Sequence, residues 1–180
     1  LEELDKALAT LAEEIIPNGH IVELNLYVPQ ILVRQFEFSA LSSRELKNAL
    51  KLEAAEAFSL LPEEIEIDYQ IMPSLNGEIR GVFAAIPKTV FDGCISRFNT
   101  LKLMPNKITA NIFSRINYFL GQNKITDKNF CIIDFIKNGV VDLTVFDNGN
   151  CVLLREIRYE SLLEAEKEIM FSLKYATSKS

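Results

Sequence analysis

One acidic residue interrupts an otherwise apolar run and is the first candidate for chemistry in this sequence. Asp134 stands within CIIDFI at residues 131–136, a run typical of a β-strand. A buried carboxylate in such a strand needs a cation, a hydrogen-bond donor or a metal ion, whereas a carboxylate on an outward face needs none. The residues alone leave both interpretations open. Arg155 or Arg158, on a later strand, could pair with Asp134 across the sheet.

Other candidates for catalysis or metal binding are weak. The only histidine, His20, is interpreted as an exposed residue at a strand end rather than as part of a catalytic triad. Glu64, Glu66 and Asp68 alternate along a strand, where a solvated face is favoured over a glycosidase or metal site. The sequence therefore predicts no catalytic residue and no metal site.

The cysteines indicate a reducing compartment. The chain has three of them, with no CxxC pair, and they stand among Ile, Val and Phe: Cys94, Cys131 and Cys151. An odd number at long spacings is not a disulfide framework, so we expect free thiols that act as small buried hydrophobic residues.

Glycine is scarce, which argues against the common phosphate-binding loops. The 180 residues include 7 glycines, and no GxG, GxGxxG or Walker pattern occurs. Those loops need glycine because backbone N–H groups must approach a phosphate closely. We therefore do not expect a P-loop NTPase, a protein kinase or a standard Rossmann dehydrogenase.

Charge is distributed unevenly along the chain. The net charge is −6, but residues 1–70 carry 14 acidic and 5 basic side chains, whereas residues 71–129 carry 3 and 8. This balance argues against nucleic-acid binding. The basic segment could face an acidic partner or an anionic membrane, although a solvated polar face is the simpler interpretation. Because Leu1 lies within a helical pattern, we expect that the chain is a fragment that begins upstream.

The first half of the chain predicts a mixture of helices and strands. Apolar residues at spacings of three and four predict a helix over 1–16, and strands are predicted over 20–28 and 30–38. Ser42 and Glu45 form a capping-box pattern for a helix that runs to about Phe58. Its predicted inner face consists of Leu46, Leu50, Ala54 and Ala57. Strands over 64–72 and 78–86 form a predicted hairpin around Asn76-Gly77.

The second half predicts a βββα unit. A helix over 88–103 and a strand plus helix within 106–120 come before a candidate linker at 121–129. Three β-rich runs follow at 130–137, 140–147 and 150–158, separated by Asn138-Gly139 and Asn148-Gly149. Asn-Gly is a strong signal for a two-residue hairpin turn, so the three runs predict an antiparallel meander, and a helix over about 160–175 comes after it.

Several short motifs occur in one order along essentially the whole chain. They are YVPQILVR at 27–34, LSSREL at 41–46 with EA at 53–54, PEEI with DY at 62–69, FAAIPKTV at 83–90, CIID at 131–134, and Gly149 with REI at 155–157. Together with the helix at 1–16, they resemble the PilM family of type IV pilus assembly proteins, which are actin-like and related to FtsA. Type II secretion proteins of the GspL type and pilus proteins of the MshI type resemble the chain as well and remain alternatives.

The resemblance implies an α/β fold with mixed sheets. It would consist of an actin-like, ribonuclease-H-like βββα core and a small inserted α+β subdomain, in a chain that lacks the N-terminal βββ half. Residues 1–38 would form part of the first actin-like subdomain. Residues 39–104 would form the inserted subdomain, whose strand and helix continue to 129, and residues 130–180 the ribonuclease-H-like half.

The resemblance also implies a nucleotide site that this chain departs from. Asp134 would contact a metal-bound water near ATP, but Ile136 takes the place of the family's glycine. Val140, Val141 and Asp142 stand where hydroxyl residues are expected, and a second carboxylate repels phosphate. We predict Asp134 as the single cofactor-contacting residue and no cofactor in this chain, although ATP and Mg²⁺ fit the family. Enzymatic activity is left open, with a non-enzyme favoured.

The function that the resemblance implies is that of a scaffold for pilus biogenesis. It would lie in the cytoplasm at the inner face of the bacterial inner membrane and dock the cytoplasmic tail of a bitopic membrane protein between the ribonuclease-H-like core and the inserted subdomain. Predicted partner-binding residues are Arg34, Arg80, Lys88 and Arg97, and the same basic segment includes Lys102, Lys107 and Arg115. Membrane association would be through partners alone, and a homodimer is allowed.

Three alternatives to that function stay open. The first is an actin-like ATPase or sugar-kinase relative, and the second is the cytoplasmic domain of a type II secretion protein. The third is a βββα domain unrelated to pili.

Overall fold

Five α-helices and eight strands make up the part of the chain that the structure describes, which is residues 2–15, 22–72, 78–121, 127–136 and 139–178. The structure is a computed structural model. The predicted turn at Asn76-Gly77, His20 and most of the candidate linker at 121–129 lie outside the described residues.

The elements follow the predicted order closely. The first half contains α1 (Glu2–Ile15), β1 (Glu23–Leu26), β2 (Leu32–Phe38), α2 (Ser43–Phe58), a 3₁₀ turn (Pro62–Glu64), β3 (Ile65–Met72) and β4 (Ile79–Pro87). The second half contains α3 (Lys88–Thr100), β5 (Lys107–Ala110), α4 (Asn111–Gly121), β6 (Phe130–Ile136), β7 (Val140–Asp147), β8 (Asn150–Arg158) and α5 (Leu162–Ser178).

The strands form three small sheets. β1 and β5 pair in parallel, with Glu23 opposite Lys107 and Leu26 opposite Ala110. The second sheet has the order β2-β4-β3, so β3 and β4 are neighbours, as the predicted hairpin requires. The third sheet is the antiparallel meander β6-β7-β8. The mixed α/β architecture and the βββα unit are therefore confirmed.

The inner face of α2 differs from the prediction at its C-terminal end. Leu46, Leu50 and Ala54 are buried as expected from their spacing, but Ala57 is exposed and Ala55 is buried in its place. After the helix the chain folds back, and the Leu60 N–H donates to the carbonyl of Ala55 at 3.0 Å.

Gly81 allows an aromatic ring to cross the second sheet. A Cβ at this position would lie 2.1 Å from the Gln70 carbonyl oxygen and 2.7 Å from the Phe36 ring. The Phe36 ring packs edge-on against Tyr69 and lies 6.4 Å from Phe83, centroid to centroid. A glycine within a strand commonly marks such a close approach.

The meander and α5 share one hydrophobic core. Val141, Leu143 and Ile157 are almost fully buried and cluster with Ile169 and Ala176 of α5. This packing explains why three short strands stay together, because a sheet needs one covered apolar face.

The two Asn-Gly pairs of the meander do not behave alike. Asn148 and Gly149 both have positive φ, and Asp147 pairs with Asn150, which is the predicted two-residue turn. In the other hairpin Ile136 pairs with Val140, so three residues separate the paired positions and the two-residue prediction is wrong there. Gly139 has a φ of 71°, and its carbonyl accepts the Tyr159 N–H at 2.8 Å.

The cysteines are free, but they are not all buried. Cys94 and Cys151 are half-buried, and burial raises the pKa of the Cys151 thiol to about 11. Cys131 is exposed, which corrects the expectation of a buried thiol. It shares a face of β6 with Ile133 and Phe135, which are also exposed although they lie opposite the buried Leu143 and Val141 of β7.

The chain divides into two compact units. Unit 1 comprises Leu1–Leu32, Ser43–Asp68 and Ala84–Ser114, and unit 2 comprises Val33–Ser42, Tyr69–Phe83 and Arg115–Ser180. The subdomain boundaries at 1–38, 39–104 and 130–180 stay predictions. Within the described residues, no helix is both long and apolar enough to cross a membrane.

Candidate functional site

A row of three carboxylates crosses the meander in unit 2. Asp134 on β6 lies directly opposite Asp142 on β7, and Asp142 lies directly opposite Glu156 on β8. Like charges at directly opposite positions of antiparallel strands destabilise a sheet. This row therefore requires compensating cations.

Arg115 of α4 supplies the cation for the first two carboxylates. Its Nε lies 3.0 Å from Asp134 Oδ2, and its Nη2 donates to Asp142 Oδ2 in a close contact. The exposed fractions of the three side chains are 26% for Arg115, 30% for Asp134 and 10% for Asp142. The Nη2 contact with Asp142 is a hydrogen bond, whereas the Nε makes no hydrogen bond within the described residues, so its contact with Asp134 is an ion pair alone. A planar guanidinium presents its donors in one fork, so a single arginine can lie against two carboxylates.

Asp142 is the most enclosed acid of the row. Burial is the main reason that the pKa of its carboxyl group is raised from 3.8 to about 6. The Arg115 guanidinium lowers this pKa, while the neighbouring Glu156 and Asp134 raise it. Loss of solvation therefore outweighs the attraction of the arginine. The pair consists of one largely enclosed carboxylate and one that stays partly open.

The expected partners of Asp134 bind elsewhere. Arg155 pairs with Glu168 at 2.8 Å and donates to Ser172 Oγ at 2.7 Å. Arg158 pairs with Glu156 at 3.0 Å on the exposed side of β8. Of the two possibilities that the sequence leaves open, pairing with Asp134 does not occur, because Arg155 lies on the other face of the sheet and Arg158 is two strands away. The actual partner is Arg115, which the sequence groups with a basic segment expected to meet an external partner.

The residues around Asp134 do not fit a Mg²⁺–nucleotide complex. A hydrated metal ion would need the same carboxylate oxygens that Arg115 holds. A guanidinium and a divalent cation cannot share them without strong repulsion. Ile136 adds a branched side chain beside this position. Within the described residues, no three His, Cys, Asp or Glu side chains form a group that could hold a metal ion.

A second candidate site is a groove in unit 1. Its volume is about 240 Å³, and its walls come from β1, β3, β4, β5 and the start of α3. The lining is mainly apolar and consists of Leu26, Ile31, Ile67, Ala84, Ala85, Ile86, Phe91, Ile108 and Ala110, with Glu66, Asp68 and Thr109 as the polar members. We call this cavity the unit 1 groove.

The polar members of the unit 1 groove are mostly acidic. Glu66 pairs with Lys88 at 3.5 Å, with both side chains about half exposed, and Asp68 is exposed. Lys107 pairs with Glu23 at 3.0 Å, and the Thr109 hydroxyl donates to the same carboxylate. Those two hydrogen bonds hold the pKa of Glu23 below its usual value. The edge therefore combines negative charge with an apolar floor.

The four predicted partner-binding residues are divided between the two units. Arg34 and Arg80 belong to unit 2, where both interact within the chain, whereas Lys88 and Arg97 belong to unit 1. Lys88 begins α3 and contacts Glu66 of the unit 1 groove, and Arg97 is exposed in the last turn of that helix. Lys88 therefore lies at the edge of the groove.

Sequence reasoning does not find the residues that build the groove walls. Phe91 and Ile108 carry no motif of their own, and the FAAIPKTV motif that contains Ala84 does not indicate a groove; the three residues meet because segments distant in sequence fold together. Glu66 and Asp68 carry a signal, but the alternation indicates only a solvated face. The pairing of Glu66 with Lys88 agrees with partial exposure of that face.

Comparison with known proteins identifies the fold. No family model and no curated protein sequence matches the chain. A PilM–PilN type IV pilus biogenesis complex aligns with a TM-score of 0.65 and 16% identity, over 96% of this chain and 60% of the other. The cytoplasmic domain of EpsL, an inner-membrane component of the Vibrio cholerae type II secretion system, aligns with a TM-score of 0.55 and 8% identity, over 86% and 56%.

A third structure agrees with these two. A Bacteroides thetaiotaomicron protein with an actin-like ATPase fold aligns with a TM-score of 0.55 and 12% identity, over 86% of this chain and 54% of the other. At these identities the likeness shows the fold alone. The chain has an actin-like fold, as the motif resemblance implied, and spans less than two thirds of the length of each neighbour.

Proposed function

We propose that this chain is an actin-like scaffold module of a pilus or secretion platform and that its unit 1 groove docks a short extended segment of a membrane partner. The observation that carries the proposal is the alignment of 96% of the chain with a structure of a PilM–PilN complex. That neighbour assembles with a second protein, which makes a docking role the natural starting point.

The groove has the properties of a peptide site. At about 240 Å³ it is smaller than the roughly 300–1,000 Å³ of pockets that enclose a whole small ligand. Its aliphatic lining suits one or two apolar side chains of an extended segment. Burial of each such side chain contributes about 1.5–3 kcal/mol before the costs of association, which is compatible with micromolar affinity.

The acidic edge gives the docked segment a preferred chemistry. Glu66 and Asp68 line the groove and both interact within the chain, Glu66 with Lys88, so a basic residue next to the apolar anchor would compete for these carboxylates. The proposed partner is therefore a cytoplasmic tail in which apolar residues adjoin a Lys or Arg. This preference is the opposite of the one expected for the basic segment at residues 71–129, which would select an acidic partner.

The module would lie in the cytoplasm at the inner face of the bacterial inner membrane and reach the membrane through its partner. It would have no catalytic residue and use no cofactor. A role in type II secretion is the second candidate, and the alignment with the cytoplasmic domain of EpsL supports it.

Calorimetry with synthetic tails tests the proposal. Peptides that cover the cytoplasmic tails of the pilus and secretion membrane proteins of the same organism are titrated into the chain. We expect one tail to bind with micromolar affinity and Ala84→Leu, which fills the groove, to weaken it at least tenfold. The matched control is Ala57→Leu on the exposed side of α2, which should leave the affinity unchanged.

The identity of the tail decides between the pilus and the secretion candidates. If no tail binds, or if Ala84→Leu and Ala57→Leu bind the tail equally well, the docking proposal is wrong.

A further inference from the structure

The contacts of Arg115 indicate a role for this residue that is separate from the docking of a partner in the unit 1 groove. Its guanidinium contacts two carboxylates from neighbouring strands, Asp134 and Asp142. These two carboxylates share one register position, so their backbones hold them side by side whatever their charge. Some cation must compensate them, because opposed like charges destabilise the sheet.

We propose that the Arg115 guanidinium is a built-in replacement for a divalent cation at the Asp134–Asp142 pair, and that it keeps the pair closed to Mg²⁺ and to Mg²⁺-bound nucleotide. The metal site that an actin-like fold suggests is thus occupied by a side chain of the protein itself. This role of Arg115 does not depend on the docking of a partner.

The contacts explain why the arginine excludes a metal ion. A divalent cation gains most from carboxylates that carry uncompensated charge and free lone pairs. Here the arginine donates a hydrogen bond to Asp142 Oδ2 and forms an ion pair with Asp134 Oδ2, and the Asp142 side chain is only 10% exposed. An entering ion would have to displace a positive group tethered to the protein, which has a far higher local concentration than any ion in solution.

Removal of the arginine should open the carboxylate pair to metal ions. With Arg115→Ser, Asp134 and Asp142 would face each other without a cation. Two adjacent carboxylates present oxygen ligands of the kind that Mg²⁺ and Mn²⁺ prefer, and water molecules would complete the coordination. Loss of the arginine should therefore create a cation site that the native chain lacks.

Thermal unfolding with and without Mn²⁺ tests this proposal. The chain has no tryptophan, so unfolding is followed by circular dichroism. We expect 10 mM Mn²⁺ to leave the melting temperature of the native chain unchanged and to raise that of Arg115→Ser by about 3 °C or more, the effect of millimolar binding to the folded state. Arg158→Ser, which removes the exposed pair with Glu156, is the matched control and should not respond.

Two further measurements make the test decisive. Asp134→Asn added to Arg115→Ser should abolish the response to Mn²⁺, because it removes one of the two ligands. Broadening of amide resonances near Asp134 by Mn²⁺ should occur in Arg115→Ser and be absent from the native chain. If the Arg115→Ser chain does not fold, the native-chain spectra still test the proposal. Site-specific broadening there at sub-millimolar Mn²⁺ overturns it, and so does an Arg115→Ser chain that ignores Mn²⁺.

Discussion

The unit 1 groove and the carboxylate row of unit 2 differ in how far they are enclosed. The groove has an apolar floor that nothing in the described chain fills, beside Asp68 and Glu66, which stay exposed or half exposed although both interact within the chain. The row covers Asp142 and compensates it with an arginine from the same chain. An enclosed ion pair has little to offer a ligand, whereas a site with open apolar area gains from one. The contrast favours the groove as the place where this molecule meets others.

The largest expected effect concerns the stability of unit 2. Arg115→Ser leaves the enclosed Asp142 carboxylate without its cation, and removal of one partner of a buried pair costs about 3–5 kcal/mol. Because Arg115 and Asp134 are partly exposed, we expect the free energy of unfolding to fall by about 3 kcal/mol, the lower end of that range. Urea titration followed by circular dichroism measures it.

The control for that prediction is Arg158→Ser. This pair is 71% exposed on the arginine side, so its loss should change the free energy of unfolding by no more than about 1 kcal/mol. Equal effects of the two substitutions would show that the Arg115 pair is no more important than a surface ion pair.

The next effect concerns ligand binding in unit 1. Phe91→Ala removes one wall of the unit 1 groove, and we expect the affinity for the docked tail to fall about tenfold, or about 1.4 kcal/mol. Phe98→Ala, two turns later on the same helix and outside the groove lining, is the matched control. Calorimetry with the tail peptide compares them, and similar losses for both variants would mean that the groove is not the docking site.

A second effect in unit 2, smaller than the loss of Arg115, concerns the pH dependence of the free energy of unfolding. The pKa of Asp142 is about 6 in the folded chain, above its value of 3.8 in a model peptide, so the folded state binds a proton more tightly. Stability from this proton is fully present below pH 3.8 and is lost as the pH rises through 6. Relative to Asp142→Asn, the free energy of unfolding should therefore fall by about 2 kcal/mol between about pH 4 and pH 7.

Urea titrations of the native and Asp142→Asn chains at several pH values measure that difference. In Arg115→Ser the Asp142 pKa should rise further, because the lost guanidinium is the group that lowers it. A carboxyl resonance of Asp142 that titrates at its model-peptide value of 3.8 in the native chain would contradict the burial assigned to it.

The smallest expected effect concerns Lys88. Its pair with Glu66 is about half exposed, so Lys88→Ala should lower the free energy of unfolding by no more than about 0.5 kcal/mol. The same change frees Glu66 and should strengthen the binding of a tail with a basic residue while weakening its tolerance to salt. Calorimetry at two salt concentrations measures this effect, and weaker binding of the basic tail would reverse the charge preference assigned to the groove.

Local sequence signals predict the helices, strands and turns well. The register between strands and the contacts between distant residues cannot be predicted in this way. The Asn148-Gly149 turn follows directly from residues that tolerate positive φ. At Asn138-Gly139 the register differs by one residue from that of a two-residue turn, and this shift places Asp142 rather than Leu143 opposite Asp134. Because side chains alternate between faces, one residue decides whether two carboxylates meet.

The partner of Asp134 could not be predicted from its surroundings. Arg115 lies on α4, and nothing in the sequence near either residue marks the pair. The exposure of Cys131 has a related explanation. An unbroken apolar run suggests a strand covered on both faces, yet β6 leaves Cys131, Ile133 and Phe135 exposed. Coverage by other elements is a property of the fold, which single-strand patterns do not encode.

Hydrogen–deuterium exchange of the native chain tests most directly whether the groove, and not the carboxylate row, receives a ligand. One sample contains the tail peptide that binds and another contains millimolar Mg²⁺ with ATP. We predict slower exchange in β4, β5 and the start of α3 with the peptide, and no change in β6 or β7 with Mg²⁺ and ATP. Protection of residues around Asp134 and Asp142 by Mg²⁺ and ATP, without protection of the groove by any tail, would contradict this assignment.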